Sequence, residues 1–304
     1  MAGMKILTSK RASAATAAAV LLGGLATAAT STLPAAASAT AACTMTVGSI
    51  TSGGDIANTD ITATAPITAK RTAGPHLFTP GVAKFSATWT TRLDPPSGKF
   101  TSGQLVLNSA LYSAWYGTKA DGTPENGISN GSKGWQGYHV VQTSVYSVAG
   151  APYWRATYGL RNDGVMYRWS GQYGDLARYT GFASVKTMTL ISQTKTYDTF
   201  LANTRGGALY TIRIARDPKV LPVVKKVRTS TWQTFESLVA QKCGTQSTLL
   251  TAIDKETGSA YLYAVGHANG ASTVIKGLGK VPGTFTDPVD HLRTDETIPP
   301  LFGE

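Results

Sequence analysis

Between residues 208 and 215 the chain reads ALYTIRIA, with Ala208, Tyr210, Ile212 and Ile214 on one side of a period of two and Leu209, Thr211, Arg213 and Ala215 on the other. That period is the one an extended strand requires, because successive side chains leave a strand on opposite faces. Related phrases stand at 163–175 (DGVMYRWSGQYGD) and 258–270 (GSAYLYAVGHANG). Each of the three follows a Gly-, Asp- or Asn-rich turn (RNDG, TRGG, KETG) and an earlier apolar segment (YWRATY, TFLANT, TLLTAID), which predicts a β-hairpin in each case. No long stretch carries the 3.6-residue period of an amphipathic helix, so the pattern predicts an all-β protein.

A second regularity sets the size of the unit. An aromatic residue flanked by small or polar neighbours recurs as TWTT at Trp89, GWQG at Trp135, GFAS at Phe182, TWQT at Trp232 and TFTD at Phe285, at intervals of 46, 47, 50 and 53 residues. Each of the first four anchors is followed by a strand tyrosine: Tyr112, Tyr167, Tyr210 and Tyr263. A unit of about 48 residues holding an anchor strand, a hairpin and a further strand has the size of one propeller blade. A sheet of four short strands cannot bury both faces alone, so such blades stack around an axis. The predicted architecture is a five-bladed β-propeller of about 47–50-residue repeats, with a β-sandwich or a six-bladed ring as alternatives. Few residues follow Phe285, and the segments TMTVGSI and DITATAPI that precede Trp89 are expected to complete the last blade and close the ring.

Gly134, Trp135 and Tyr138, then Trp232 and Phe235, with Leu111-Tyr112, Leu209-Tyr210 and Leu262-Tyr263, form a pattern that resembles the tachylectin family of five-bladed propeller lectins. The resemblance spans roughly 89–285. It implies a propeller fold and binding of amino sugars, such as N-acetylglucosamine, in equivalent pockets of near-identical blades. Phe182 and Phe285 replace the anchor tryptophan in two units and the loops differ from unit to unit. Five equivalent pockets are therefore not expected, and no ligand residue is transferred from the family.

Composition refines this picture. Lys5, Lys10 and Arg11, an apolar run from about Ala14 to Ala29 and the small residues Ala37, Ser38 and Ala39 read as a secretory signal peptide over 1–39. The run is too short and too poor in large side chains for a spanning helix, which needs roughly 20 apolar residues. Residues 40–304 are then one exported domain with no transmembrane segment. That domain carries a net charge of +8, since 1–39 holds three of the 28 basic residues and none of the 17 acidic ones. Its densest basic group, Lys219 to Arg228 (KVLPVVKKVR), alternates as a strand with one solvated face would, so no nucleic-acid partner is expected. Cys43 and Cys243 are the only cysteines, and in an exported chain they predict a disulfide that ties the N-terminal segment to the Trp232 unit.

Residues able to carry catalysis are few. The four histidines have no paired spacing, and there is no phosphate loop or calcium loop. No cofactor and no metal site are expected. A glycoside hydrolase needs only two carboxylates, and Asp55, Glu125, Asp163, Glu236 and Asp254 are the candidates, with turn capping the simpler role for Asp163 and Asp254. Sugar binding asks for aromatic faces and for polar groups that read hydroxyls. The repeated aromatics are expected to pack between blades, which leaves the loops for ligand contact: Trp115 and Tyr116 beside the Gly- and Asn-rich segment 117–134, Asn162, Asp163, Tyr173, Arg205, His267 and Asn269. The reading is a secreted, non-enzymatic, lectin-like propeller whose partner is a glycan or cell-envelope polysaccharide. A protein-interaction or envelope-associated propeller is the alternative, and a propeller glycoside hydrolase the second.

Overall fold

The computed structural model describes residues 42–304 apart from 130, 172–174, 246 and 298. The segment read as an export signal and the candidate Tyr173 lie outside the described residues. The rest is all-β, with 21 strands among the described residues and no helix there long and apolar enough to cross a membrane. Three sheets are four-stranded antiparallel meanders: β9 (Tyr138–Tyr146) to β12 (Asp175–Tyr179), β13 (Val185–Gln193) to β16 (Val223–Arg228), and β17 (Ser237–Cys243) to β20 (Ile275–Val281). We call them the second, third and fourth sheets.

The first sheet has nine strands and joins two distant parts of the chain. Its order is β3-β2-β1-β21-β4-β5-β6-β7, with the short β8 (Ser132–Lys133) also pairing with β6 (Ala110–Lys119). The meander β1 (Thr44–Ile50), β2 (Asp55–Thr62) and β3 (Thr68–His76) receives β21 (Val289–Asp295) as its inner neighbour, in register from Thr46 opposite Arg293 to Ile50 opposite Val289. β21 then touches β4 (Ala83–Asp94) in a short parallel pairing from Arg293 with Trp89 to Asp295 with Thr91. The disulfide joins Cys43, just before β1, to Cys243 at the end of β17, with Cα atoms 5.5 Å apart.

The first sheet divides at its short parallel pairing into β4 to β8 and β21 with β1 to β3, which with the other three sheets makes five groups; their inner strands, β4, β9, β13, β17 and β21, pack in succession and line one cavity of about 210 Å³. Apolar side chains between neighbouring groups form five clusters, such as Tyr158, Met166, Met188 and Phe200 between the second and third sheets. A strand one place out from the cavity is covered on both faces, and β14 (Tyr197–Thr204) is buried along all but its first residue. Its polar groups consequently need partners inside the protein. Asp198 accepts from Ser144 Oγ at 2.8 Å and Tyr158 Oη at 2.7 Å, and Asn203 Nδ2 donates to the carbonyls of Trp232 and Phe235.

One backbone bond recurs in every group. The amide of an aromatic residue donates to the carbonyl of a hairpin turn: Phe78 to Gly54 (3.1 Å), Trp135 to Ser109 (2.9 Å), Phe182 to Gly164 (3.0 Å), Trp232 to Gly207 (3.0 Å) and Phe285 to Gly258 (2.9 Å). All five rings are buried. Four are sequence anchors, but the first unit uses Phe78 and not Trp89. Trp89 lies inside β4, where its indole donates to Ser86 Oγ at 2.8 Å. The interval from Phe78 to Trp135 is 57 residues because β5 (Gly98–Leu107) and β6 are long and β7 (Pro124–Ile128) and β8 follow them. With the end of β6, those two strands take up ten of the residues 117–134. The strand tyrosines keep one place, Tyr112 on β6, Tyr167 on β11 (Met166–Ser170), Tyr210 on β15 (Leu209–Ala215) and Tyr263 on β19 (Ser259–Gly266), the third strand of four of the groups.

Candidate ligand site on the second sheet

In β11, MYRWS, the period of two is fully expressed: Met166, Arg168 and Ser170 are buried, while Tyr167 and Trp169 are half-buried on the other face. Their rings stack at 5.8 Å with planes 22° apart. Beside them on β10 (Trp154–Arg161), Gly159 pairs with Tyr167 and supplies no side chain. Tyr138 and Trp135 fill that space, so a Cβ at Gly159 would stand 2.8 Å from Tyr138 Cε1 and 3.0 Å from Trp135 Cη2. Tyr138 in turn lies 4.5 Å from Trp135, 6.1 Å from Tyr167 and 6.2 Å from Trp169 between ring centres. Four aromatic rings thus make one shelf, with Trp135 buried beneath it and the other three reaching its surface.

Polar groups stand at the edge of this shelf. Arg161 closes β10 opposite Tyr138, after a shift of register at Leu160 and Arg161, and its Nη2 lies 3.1 Å from Asp163 Oδ2. These two side chains are 41% and 48% exposed, so both can exchange partners with a ligand. Asp163 also takes the Val165 amide at 3.1 Å, which holds the turn, and the Asn162 amide donates to Gly137. Burial raises the Tyr138 phenol, with Tyr167 adding to the rise, so it is an O–H donor at neutral pH. On the inner side, burial holds His139 below the ordinary histidine range, and Arg205 and Asn162 are its neighbours. Arg205 itself is anchored to the carbonyls of Ala183 (2.6 Å) and Val185 (3.2 Å).

Three of the residues singled out in the sequence, Asn162, Asp163 and Arg205, therefore come together around Tyr138 and His139. Of the others, Trp115, Tyr116, His267 and Asn269 do not join them. Trp115 meets Phe100 edge-on at 5.7 Å and lies over Gly127, and Tyr116 is 5.9 Å from Trp89. His267 and Asn269 follow the far end of β19 from its hairpin turn, exposed, with the Asn269 amide bonded to Thr273 Oγ1 at 2.9 Å. Arg161, Tyr138 and Trp169 were missed. The pair Tyr167 and Trp169, two apart on one strand face, is the signal that points to them.

The fourth sheet has a related aromatic group, with Trp232 5.1 Å from Tyr263 and Phe235 6.1 Å from Tyr261. The residue that closes its second strand is Asp254, whose carboxylate caps the Thr257 amide at 3.0 Å, so the exposed guanidinium of the second sheet has no counterpart there. The sites are not equivalent.

The five candidate carboxylates are engaged by neighbours of their own. Asp55 bonds His76 (2.9 Å) and Thr51 (3.0 Å), Glu125 pairs with Lys119 (3.2 Å), and Asp163 and Asp254 hold turns as described. Glu236 takes Lys186 Nζ at 2.5 Å and the Lys255 amide at 2.8 Å. At the cavity, Asp290 is paired with Lys255 Nζ at 2.5 Å; burial nevertheless raises its carboxyl above the ordinary range, against the pull of that lysine. Beside it, His291 is fully enclosed and its pKa falls to about 3, first from burial and then from Arg293. Among the described residues no group of three or more His, Cys, Asp or Glu side chains is placed to hold a metal ion. No family model matches the chain, and no curated protein is a significant match to it.

Proposed function

We propose that the protein is an exported five-bladed β-propeller that binds a glycan without chemically altering it, through the shelf of Tyr138, Tyr167 and Trp169 and the Arg161–Asp163 pair. The observation that carries this reading is the shelf itself. Half-buried aromatic faces offer the apolar C–H side of a sugar ring a dry surface, and an exposed guanidinium beside a carboxylate supplies both donors and acceptors for its hydroxyls. The propeller is supported by the five recurring aromatic-to-turn bonds and by the single cavity that β4, β9, β13, β17 and β21 share. On this reading β21 is the inner strand of the fifth blade and β1, β2 and β3 complete it. Export is supported by the signal-like pattern of 1–39 and by the Cys43–Cys243 bond, which persists in oxidising compartments.

A glycan array probed at low and high salt tests the proposal, the two conditions separating specific binding from the attraction of a +8 protein for acidic sugars. Salt-resistant binding to a defined sugar is expected, with Tyr167→Ala and Trp169→Ala each weakening it at least tenfold in calorimetry. An empty array with folded protein, or binding indifferent to both substitutions, refutes the assignment and favours a protein-interaction propeller.

A further inference from the structure

The segment KVLPVVKKVR does not behave as a strand with one solvated face. Val220 and Leu221 precede β16 and are 46% and 80% exposed, and the next residues in β16, Val223 and Val224, are 45% and 50% exposed. Lys225 and Lys226 follow, also exposed, and burial begins only at Val227. β16 is the outermost strand of the third sheet and pairs only with β15, from Val223 opposite Arg213 to Arg228 opposite Leu209. Val223 and Val224 point to opposite faces of that sheet, as neighbours in a strand must. Four large apolar residues on an uncovered edge are what a folded protein ordinarily avoids unless something covers them.

Charge and geometry identify the cover. Lys219, Lys225 and Lys226 flank the apolar residues, and Asp217, the nearest carboxylate in sequence, caps the Lys219 amide at 2.9 Å. Arg228 is turned away to the Thr273 carbonyl at 2.9 Å. The partner is thus anionic with an apolar interior. A polypeptide added as a strand would lie in the plane of the sheet and pair with β16 alone, leaving Val220 and Leu221, which precede that strand, uncovered. The boundary between lipid headgroups and acyl chains wraps an inserted edge from both faces at once, while headgroup phosphates meet the lysines. We infer that the 219–226 edge is a docking surface for an anionic lipid membrane, with Leu221 at its tip.

Co-sedimentation with vesicles of phosphatidylcholine alone and of phosphatidylcholine with phosphatidylglycerol tests this, alongside fluorescence anisotropy with labelled poly-glutamate. The parent chain is expected to bind the anionic vesicles, to release them at high salt and to leave the neutral ones in solution. Leu221→Ser with Val224→Ser, and separately Lys225→Glu with Lys226→Glu, are each expected to weaken that binding at least tenfold. Because the variants and the parent share the same residues 1–39, any contribution of the N-terminal apolar run cancels in the comparison. The substituted side chains are exposed, so unchanged circular dichroism is expected and shows that the loss is local. Equal binding to both vesicle types, or full binding by both double variants, overturns the inference. Binding to poly-glutamate but not to vesicles overturns it too and assigns the edge to an acidic polypeptide.

Discussion

Acidification should weaken this protein through one side chain, His291. Its ring occupies the space over Gly48, where a Cβ would stand 2.2 Å from Nε2, and the Trp89 indole lies 5.5 Å away. Nδ1 has no hydrogen-bond partner among the described residues, and the neighbouring cation Arg293 opposes protonation of the ring. Asp290, next in sequence, leaves the strand on the opposite face. Nothing there stabilises an imidazolium, so the folded protein holds the neutral ring down to about pH 3, against 6.5 for a free histidine. Between those values the unfolded chain binds a proton that the folded one does not, so stability falls as pH falls through this window. The full difference, reached below pH 3, is worth about 5 kcal/mol, and about 3 kcal/mol is already lost at pH 4.5. Urea unfolding at pH 7.5 and 4.5 should show this as a lowering of the midpoint by roughly 1 M, for a slope of about 3 kcal/mol/M. The informative chain is His291→Gln. Whatever the substitution costs at pH 7.5, it removes the titrating group, and its loss between the two pH values should be about 3 kcal/mol smaller than that of the parent. Asp290 and the other carboxylates are common to both chains and largely cancel. Equal losses in parent and variant would refute the reasoning and place an anion or a solvent path beside the ring.

Two further outcomes follow from the backbone. Cys43→Ser with Cys243→Ser opens a loop of sequence separation 200, and chain entropy then sets a loss of up to about 5 kcal/mol in urea unfolding; a loss below about 1 kcal/mol would mean that the strands alone hold the N-terminal segment. Gly164 and Gly181 both have positive φ, +80° and +100°, but only at Gly164 would a Cβ collide with backbone, 2.2 Å from the Ala183 nitrogen. Gly181→Ala should therefore cost about 1–2 kcal/mol for conformation alone, and Gly164→Ala at least twice that in thermal unfolding, with equal costs counting against the packing described.

The strands were legible because each obeys a local rule. Tyr112, Tyr167, Tyr210 and Tyr263 sit on third strands, and the cysteine pair closed as expected, since alternation sets the strands and two cysteines leave a single pairing. The first anchor was not legible. Trp89 stands close to the repeat interval from Trp135 by coincidence, whereas Phe78, in HLFTPG, lacks the glycine-tryptophan context and lies 57 residues away. The candidate site was half legible for a related reason. Turn chemistry pointed to Asn162, Asp163 and Arg205, but the shelf they border depends on Gly159 leaving room for rings from another strand, and a vacancy between strands is written in no single segment. The edge at 219–226 shows the same limit: alternation implies a buried face, yet only the sheet order reveals that β16 has no outer neighbour.

The pairing of β1 with β21 has a temporal meaning. Residues 44–50 are made early and their inner partner, 289–295, some 240 residues later. At ordinary synthesis rates that separates the two by roughly ten to fifty seconds. Throughout this interval the second, third and fourth sheets can form from local hairpins, while β1 keeps one edge open and Cys43 waits for Cys243. The last act of folding therefore joins the two most distant strands, and until it happens the edge of β1 is open to any competing strand.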